Sequence, residues 1–308
     1  MIPDDKMLDE APVALATATP AGGAGLPWTS LPGRVAGRDR RPSRFGLAGK
    51  IGLTVVVLLL LASVAAPLLP LADPLAQTLT LRDAGPSLHH LLGTDLVGRD
   101  VLSRTVYGCR SAFEGVAIGV GGMLALGIPW GLAAGFAGGV IDEILMRIAD
   151  AFLSFPALIL AIGVVAALGP SIVHSMLAVG VISAPGVARL LRSAVLPVRR
   201  AQFVLIAQSL GVSRMRIAGR HVLPNSMGPV VVQAVAAASY FLIVEAALGF
   251  LGLGVPPPSA SWGADMAGAY SNFTANPAAT IVPGLAITIG AWSLSVVGDG
   301  LRNVLLRN

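Results

Sequence analysis

Residues able to do chemistry are few in this sequence, and their spacing fits no catalytic centre. A phosphate-binding loop GxxxxGK[ST] is absent, because lysine occurs only twice and neither lysine stands in such a motif. The four histidines do not form a metal-binding set, since only His89 and His90 are neighbours, and the single Cys109 excludes an internal disulfide. No HExxH, GxSxG or aspartate pair lies within an apolar segment. We therefore expect no catalytic residue, no metal site and no cofactor bound by this chain.

Glu245 is a carboxylate at the end of an otherwise apolar run, residues 222–244. An acidic side chain within a membrane segment is costly and usually faces a cavity or a polar partner. Two interpretations follow. Glu245 lines a polar path or its outer gate, or it forms a structural hydrogen bond with a neighbouring helix or with Trp262.

A second unusual segment, residues 197–224, combines apolar side chains with several arginines and is called the elbow below. Its pattern predicts a helix over residues 204–210, an interruption at Gly211 and a second short helix that Ser213 could cap. Exposed apolar residues bordered by arginines indicate either a docking surface for another protein or an amphipathic connector on the membrane surface.

Charged residues also cluster in two other places. If residues 95–104 are helical, Asp95–Arg99 and Asp100–Arg104 are pairs four residues apart, each contributing a few tenths of a kcal/mol. They would shape an outer surface or contact an external protein. Around residues 142–150, Arg147 is spaced to neutralise nearby acidic side chains, which favours structural pairing.

The composition places these segments in a membrane protein. Of 308 residues, 55% are hydrophobic and only 12% are charged, with a net charge of +5. Soluble domains carry about 25% charged residues, so the composition excludes an ordinary cytosolic enzyme and does not favour nucleic-acid binding. A span needs about 20 apolar residues, and this predicts six spans. They fall within residues 51–72, 115–141, 151–168, 172–188, 222–244 and 278–298.

Arginine and lysine accumulate in residues 34–50, 189–220 and 302–307, which six spans place on one side of the membrane. The positive-inside rule identifies this side as the cytoplasm, so both termini are predicted to be cytoplasmic. The predicted organisation has four parts. They are a disordered tail (1–45), a first membrane helix (46–72), an external loop with an amphipathic segment (73–111) and a five-helix core that includes the elbow (112–308).

Several segments, in order over about residues 48–308, resemble the permeases of binding-protein-dependent ABC transporters, in the C-subunit type of the dipeptide/oligopeptide/nickel branch. The elbow is similar to their EAA loop, although Leu205 and Ile206 stand where that pattern has Glu and Ala. The resemblance assigns the ATPase-coupling positions to Leu205, Ile206, Ala207, Leu210, Gly211, Ile217, Leu223 and Pro224. It assigns an outer-loop signature to Gly93, Thr94, Asp95, Gly98, Arg99 and Asp100.

The resemblance implies an all-α membrane protein with the type I ABC importer permease fold and a cytoplasmic coupling loop. The implied function is one half of the pathway of an ATP-driven importer for short peptides, in the inner membrane of a bacterium, with nickel or glutathione as alternative cargo. The implied partners are a second homologous permease, two cytoplasmic subunits that bind ATP and Mg, an external solute-binding protein and membrane lipid. A self-sufficient secondary transporter or channel is the alternative of another class, and it would need ionisable residues at mid-membrane depth or inverted repeats.

Overall fold

The computed structural model describes residues 45–305, and this part of the chain is built from α-helices. The tail predicted over residues 1–45 lies, except for Phe45, outside the described residues. The helices are α1 (Leu47–Ala65), α2 (Val101–Ala137), α3 (Gly139–Leu153), α4 (Ala157–Leu168), α5 (Ile172–Val198), α6 (Gln202–Ser209), α7 (Arg214–Ile217), α8 (Leu223–Ser226), α9 (Gly228–Phe250), α10 (Trp262–Tyr270) and α11 (Pro277–Leu305).

Five of these helices, α1, α2, α5, α9 and α11, are long and apolar enough to cross a membrane. The third predicted span is different, because α3 and α4 meet at an angle of 84° and only together satisfy the same test. The break precedes Pro156, which disfavours helical geometry in the residue before it. At 12 residues, α4 reaches about 18 Å, short of the ~30 Å hydrocarbon layer. Five of the six predicted spans are thus single helices, and the third coincides with the bent pair.

Helix α2 runs for 37 residues and begins well before the predicted start of the core at residue 112. The Asp100 side chain caps it by accepting a hydrogen bond of 2.7 Å from the Ser103 amide. It ends at Gly138, whose φ of +71° is a conformation that other residues rarely adopt. The boundary predicted between residues 111 and 112 thus falls inside a continuous helix, and part of the predicted external loop is the first turns of α2.

The centre of the fold is the contact between α2 and α5, the most extensive between any two described helices. One face of α2 carries buried glycines at intervals of four or eight residues: Gly115, Gly119, Gly127, Gly131 and Gly135. At Gly131 an added Cβ would lie 2.5 Å from the Ala188 carbonyl oxygen. Such close approach of two backbones is how membrane helices gain van der Waals contact without a hydrophobic driving force. Helices α9 and α11 pack beside this pair, and α1 packs on α11.

Candidate functional site

The elbow leaves the long helix α5 and returns to the long helix α9 through a series of short helical turns. The two helices expected on either side of Gly211 are present as α6 and α7. Gly211 adopts a φ of +76°, and the Val212 amide donates to the Ala207 carbonyl at 3.1 Å, which folds the chain back after α6. From α7 the chain continues through a π-helical turn, Ala218–Val222, into α8. The elbow is thus an ordered structure fixed between two membrane helices.

Side chains of the elbow divide into a buried set and an exposed set. Val204 and Ile217 are fully buried and Ala207 is almost so, and these residues fix the elbow to the helices behind it. Leu205, Ile206 and Leu210 are 52%, 60% and 77% exposed. The other predicted coupling residues also divide, since Gly211 and Pro224 are exposed and Leu223 is half-buried. The result is an apolar surface on a buried frame.

Arginines border the apolar surface of the elbow. Arg199 donates to the Gly135 carbonyl at 2.7 Å and so connects the end of α5 to the last turn of α2. With Arg200, Arg214 and Leu205 it lines a concavity of about 440 Å³ beside α6. The surface of the elbow is therefore apolar at the exposed residues of α6, and it is positively charged where these arginines surround them.

Helix α3 is joined to α5 by ion pairs that the spacing of the sequence does not predict. Arg147 pairs with Glu143 at 2.9 Å, as expected for residues four apart. Asp150, however, contacts Arg189 of α5, and Asp142 accepts from Arg192 at 2.6 Å. The partners of these acids are 39 and 50 residues away in sequence, so only the packing of α3 against α5 reveals them.

The outer-loop signature forms a tight turn, not the helix considered from the sequence. Gly93 and Gly98 have φ values of +76° and +78°, which permit the turn that joins Thr94 and Asp100 by a backbone bridge. The Asp95 carboxylate accepts from the Arg99 amide at 2.9 Å and from Arg99 Nε at 2.6 Å. The Asp95–Arg99 pair thus exists, but it closes a loop.

The predicted Asp100–Arg104 pair is wrong, because each residue has another partner. Asp100 caps α2 and lies 3.0 Å from His90 Nδ1. Arg104 is 4% exposed and pairs with Asp265 of α10, its Nε donating to Asp265 Oδ1 at 2.9 Å. Burial raises the pKa of the Asp265 carboxyl above its ordinary value, and the Arg104 charge opposes that rise.

Arg104 also connects segments that are distant in sequence. Its guanidinium donates to the Pro74 carbonyl at 3.0 Å and to the Pro258 and Ser259 carbonyls at 3.2 Å. One buried cation therefore holds the start of α2, the segment after α1 and the loop before α10 together.

Sequence reasoning missed Asp265. The available signal was that a buried arginine in so apolar a chain requires an anionic partner.

Glu245 belongs to α9. It is 2% exposed and lies between α2 and the start of α10. Its Oε1 accepts a hydrogen bond of 3.4 Å from Ser261, and Oε2 has no donor among the described residues. Trp262 Nε1 donates instead to the Thr105 carbonyl at 2.8 Å, so the considered Glu245–Trp262 bond is not formed. An added Cβ at Gly115 would lie 3.0 Å from Glu245 Cγ, which shows how closely α2 covers this carboxyl group.

The apolar helices and the ordered elbow define a multi-pass helical membrane protein. Residues 127–308 match the family described as binding-protein-dependent transport system inner membrane component. This match covers more than half of the chain, and the chain belongs to that family.

Curated relatives cover most of the chain. It is 36% identical over 255 residues to the dipeptide transport system permease protein DppC of Alkalihalophilus pseudofirmus, covering 83% of this chain and 84% of that protein. It is 37% identical over 256 residues to the oligopeptide transport system permease protein OppC of Bacillus subtilis, with 83% and 84% covered. It is also 37% identical over 267 residues to the glutathione transport system permease protein GsiD of Pectobacterium atrosepticum, with 86% and 88% covered.

A solved structure, the inward-facing MetNI methionine ABC transporter, has a chain with the same fold. The TM-score is 0.53, with 65% of this chain and 96% of that chain covered. The sequence identity is 18%, so this likeness concerns the fold alone. It agrees with the expected type I importer permease fold.

Proposed function

We propose that this chain is the permease subunit of an ATP-driven importer of short peptides and forms half of the translocation pathway. The observation that carries the proposal is the elbow, because it presents exposed apolar side chains on a frame fixed between two membrane helices. Family membership supports the transport role. The dipeptide and oligopeptide relatives support peptides as the cargo, and the glutathione relative is itself named for a small peptide.

The energy source in this proposal is a separate pair of cytoplasmic ATP-binding subunits, which hold ATP and Mg. The elbow docks on one of them through Leu205, Ile206 and Leu210. When ATP closes the pair, the elbow moves as a rigid body and transmits the movement through α5 and α9. A second, homologous permease supplies the other half of the pathway, and an external solute-binding protein delivers the cargo.

The proposed orientation places the elbow and both termini in the cytoplasm of a bacterium, with the chain in the inner membrane. The outer-loop signature and the Arg104–Asp265 pair then lie on the external side. There they fix the shape of the outer mouth that the solute-binding protein contacts. The arginines at the elbow meet the positive-inside rule in this orientation.

Purification of the tagged chain from its native membrane in mild detergent tests this proposal. We expect a second permease and an ATPase with a GxxxxGK[ST] motif to co-purify, and deletion of the gene to abolish uptake of labelled L-alanyl-L-alanine. Competition by excess nickel or glutathione identifies the alternative cargo. Repeated recovery of the chain alone, with uptake that stops when the ion gradient is dissipated at normal ATP levels, would contradict the proposal and favour a secondary transporter.

Glu245 is proposed as an outer-gate residue, and Glu245→Gln tests this role. The amide keeps the shape of the side chain and its bond to Ser261, and it removes the cost of a buried charge. We therefore expect normal insertion and equal or higher thermal stability. If Glu245 works at the gate, uptake should fall by about tenfold, equivalent to ~1.4 kcal/mol on the transport barrier. Uptake equal to that of the wild type would instead assign the residue a structural role.

A further inference from the structure

A concavity of about 420 Å³ lies near the N-terminal end of α2, away from the elbow. Tyr107, Arg110 and Glu114 of α2 line it. They are spaced three and four residues apart, so they lie along one face of the helix. They stand just before the part of α2 that has no charged residue, residues 115–137. The pocket is therefore at the level of the membrane interface.

The charges in this pocket differ from those around them. Nearby Arg99 and Arg104 are held by Asp95 and Asp265. Arg110 and Glu114, in contrast, are exposed, and neither has an ion-pair partner within 4.0 Å among residues 45–305. Charged side chains at membrane depth normally face a water-filled space or a partner. The face of α2 that carries them therefore meets a polar, water-accessible space and not lipid chains.

The lining supplies complementary groups for both ends of a small zwitterion. Arg110 is a donor for a carboxylate, and Glu114 together with Asp73 provides acceptors for an ammonium group. The Arg110 and Glu114 positions are separated by about 6 Å along the helix axis. An extended dipeptide spans about 7 Å. Ile172 and Val255 add apolar surface for its side chains.

We propose that this pocket is a subsite that receives a short peptide by its free amino and carboxyl termini before translocation, with Arg110 holding the carboxylate and Glu114 the ammonium group. This inference rests on the proposed function, because it assigns the cargo a contact point on the permease itself. It predicts that peptides blocked at both termini are not held.

Thiol labelling in right-side-out vesicles of the native host, with the whole transporter present, tests the subsite. Cys109 is 4% exposed, so the parent chain gives little background, and Val255→Cys places a thiol in the pocket. We expect L-alanyl-L-alanine at about ten times its dissociation constant to slow labelling by an impermeant maleimide by roughly tenfold, by mass action. N-acetyl-L-alanyl-L-alanine amide should give no protection. Arg110→Gln and Glu114→Gln should each remove the protection.

The matched control is Leu88→Cys, at a residue 95% exposed and outside the pocket. Its labelling should be fast, unaffected by peptide, and equal in the Arg110→Gln and Glu114→Gln chains, which reports that these chains are inserted. The inference is overturned if Val255→Cys is not labelled in the assembled transporter, because another protein then fills the pocket. Equal protection by the blocked peptide, or protection that survives either substitution, also overturns it. Peptide uptake by the same cells is measured separately, so a transporter that carries peptide without protection refutes the subsite alone.

Discussion

Peptide uptake is expected to fall by more than about tenfold when Ile206 and Leu210 of the elbow are both replaced by glutamate. These side chains are 60% and 77% exposed, so the change should leave the fold of the chain intact. Burying an isoleucine or leucine at an interface contributes about 1.5–3 kcal/mol, and a tenfold loss of affinity needs only ~1.4 kcal/mol. Removing both and adding two charges that must be desolvated should therefore prevent docking of the ATPase.

The measurement combines uptake of labelled L-alanyl-L-alanine with co-purification of the ATPase on the tagged chain. Gln202→Glu is the control, because it adds one negative charge to α6 at an exposed polar position. An acidic side chain in the first turn of a helix is compatible with the helix dipole. We expect the control to transport normally. Normal uptake by the Ile206→Glu/Leu210→Glu chain would refute the coupling role of the elbow.

The second large effect is expected at Gly131, where α2 and α5 are in backbone contact. A Cβ added at Gly131 would lie 2.5 Å from the carbonyl oxygen of Ala188 and 2.9 Å from the Cα of Ala188. Both are backbone atoms, so neither can rotate away. Gly131→Leu must push the two helices apart, and overpacking of a closely packed core costs about 1–3 kcal/mol or more. We expect this variant not to accumulate as folded protein. Gly131→Ala should lower the thermal midpoint in detergent.

Gly121 is the matched control for this prediction, since it lies in the same helix with no atom within 4 Å of an added Cβ. Alanine has a higher helix propensity than glycine by about 1 kcal/mol, so Gly121→Ala should leave the thermal midpoint unchanged or raise it. Both variants are compared by size-exclusion chromatography after heating. Equal midpoints for Gly131→Ala and Gly121→Ala would show that the α2–α5 contact does not limit stability.

The bent third span shows how far periodicity and hydropathy extend. The absence of charge over residues 151–188 was sufficient to predict two apolar segments and the break at Gly169. It did not predict that α3 joins α4 in the bent pair, because α3 contains charged residues and a hydropathy criterion excludes it. Two of those charges, Asp142 and Asp150, pair with arginines of α5, and such distant pairing becomes visible only when the helices are packed.

The elbow shows the same division between local and distant information. Gly211 predicted the interruption because its role is local, namely a positive φ. The pattern also indicated apolar side chains on the elbow, but it could not separate Ala207 and Ile217, which are buried, from Leu205 and Leu210, which are exposed. That separation depends on which helices lie behind the elbow.

The sequence by itself determined that this chain is a helical membrane protein, where most of its apolar segments lie and which family it resembles. These properties depend on composition, on runs of apolar residues and on short motifs, all of which are local. Only the tertiary structure decided that Arg104 pairs with Asp265, that Glu245 is covered by α2, and that Arg110 and Glu114 share a pocket without ion-pair partners in the described chain. The physical reason is that charges in an apolar fold select partners by proximity in space, and proximity is set by helix packing.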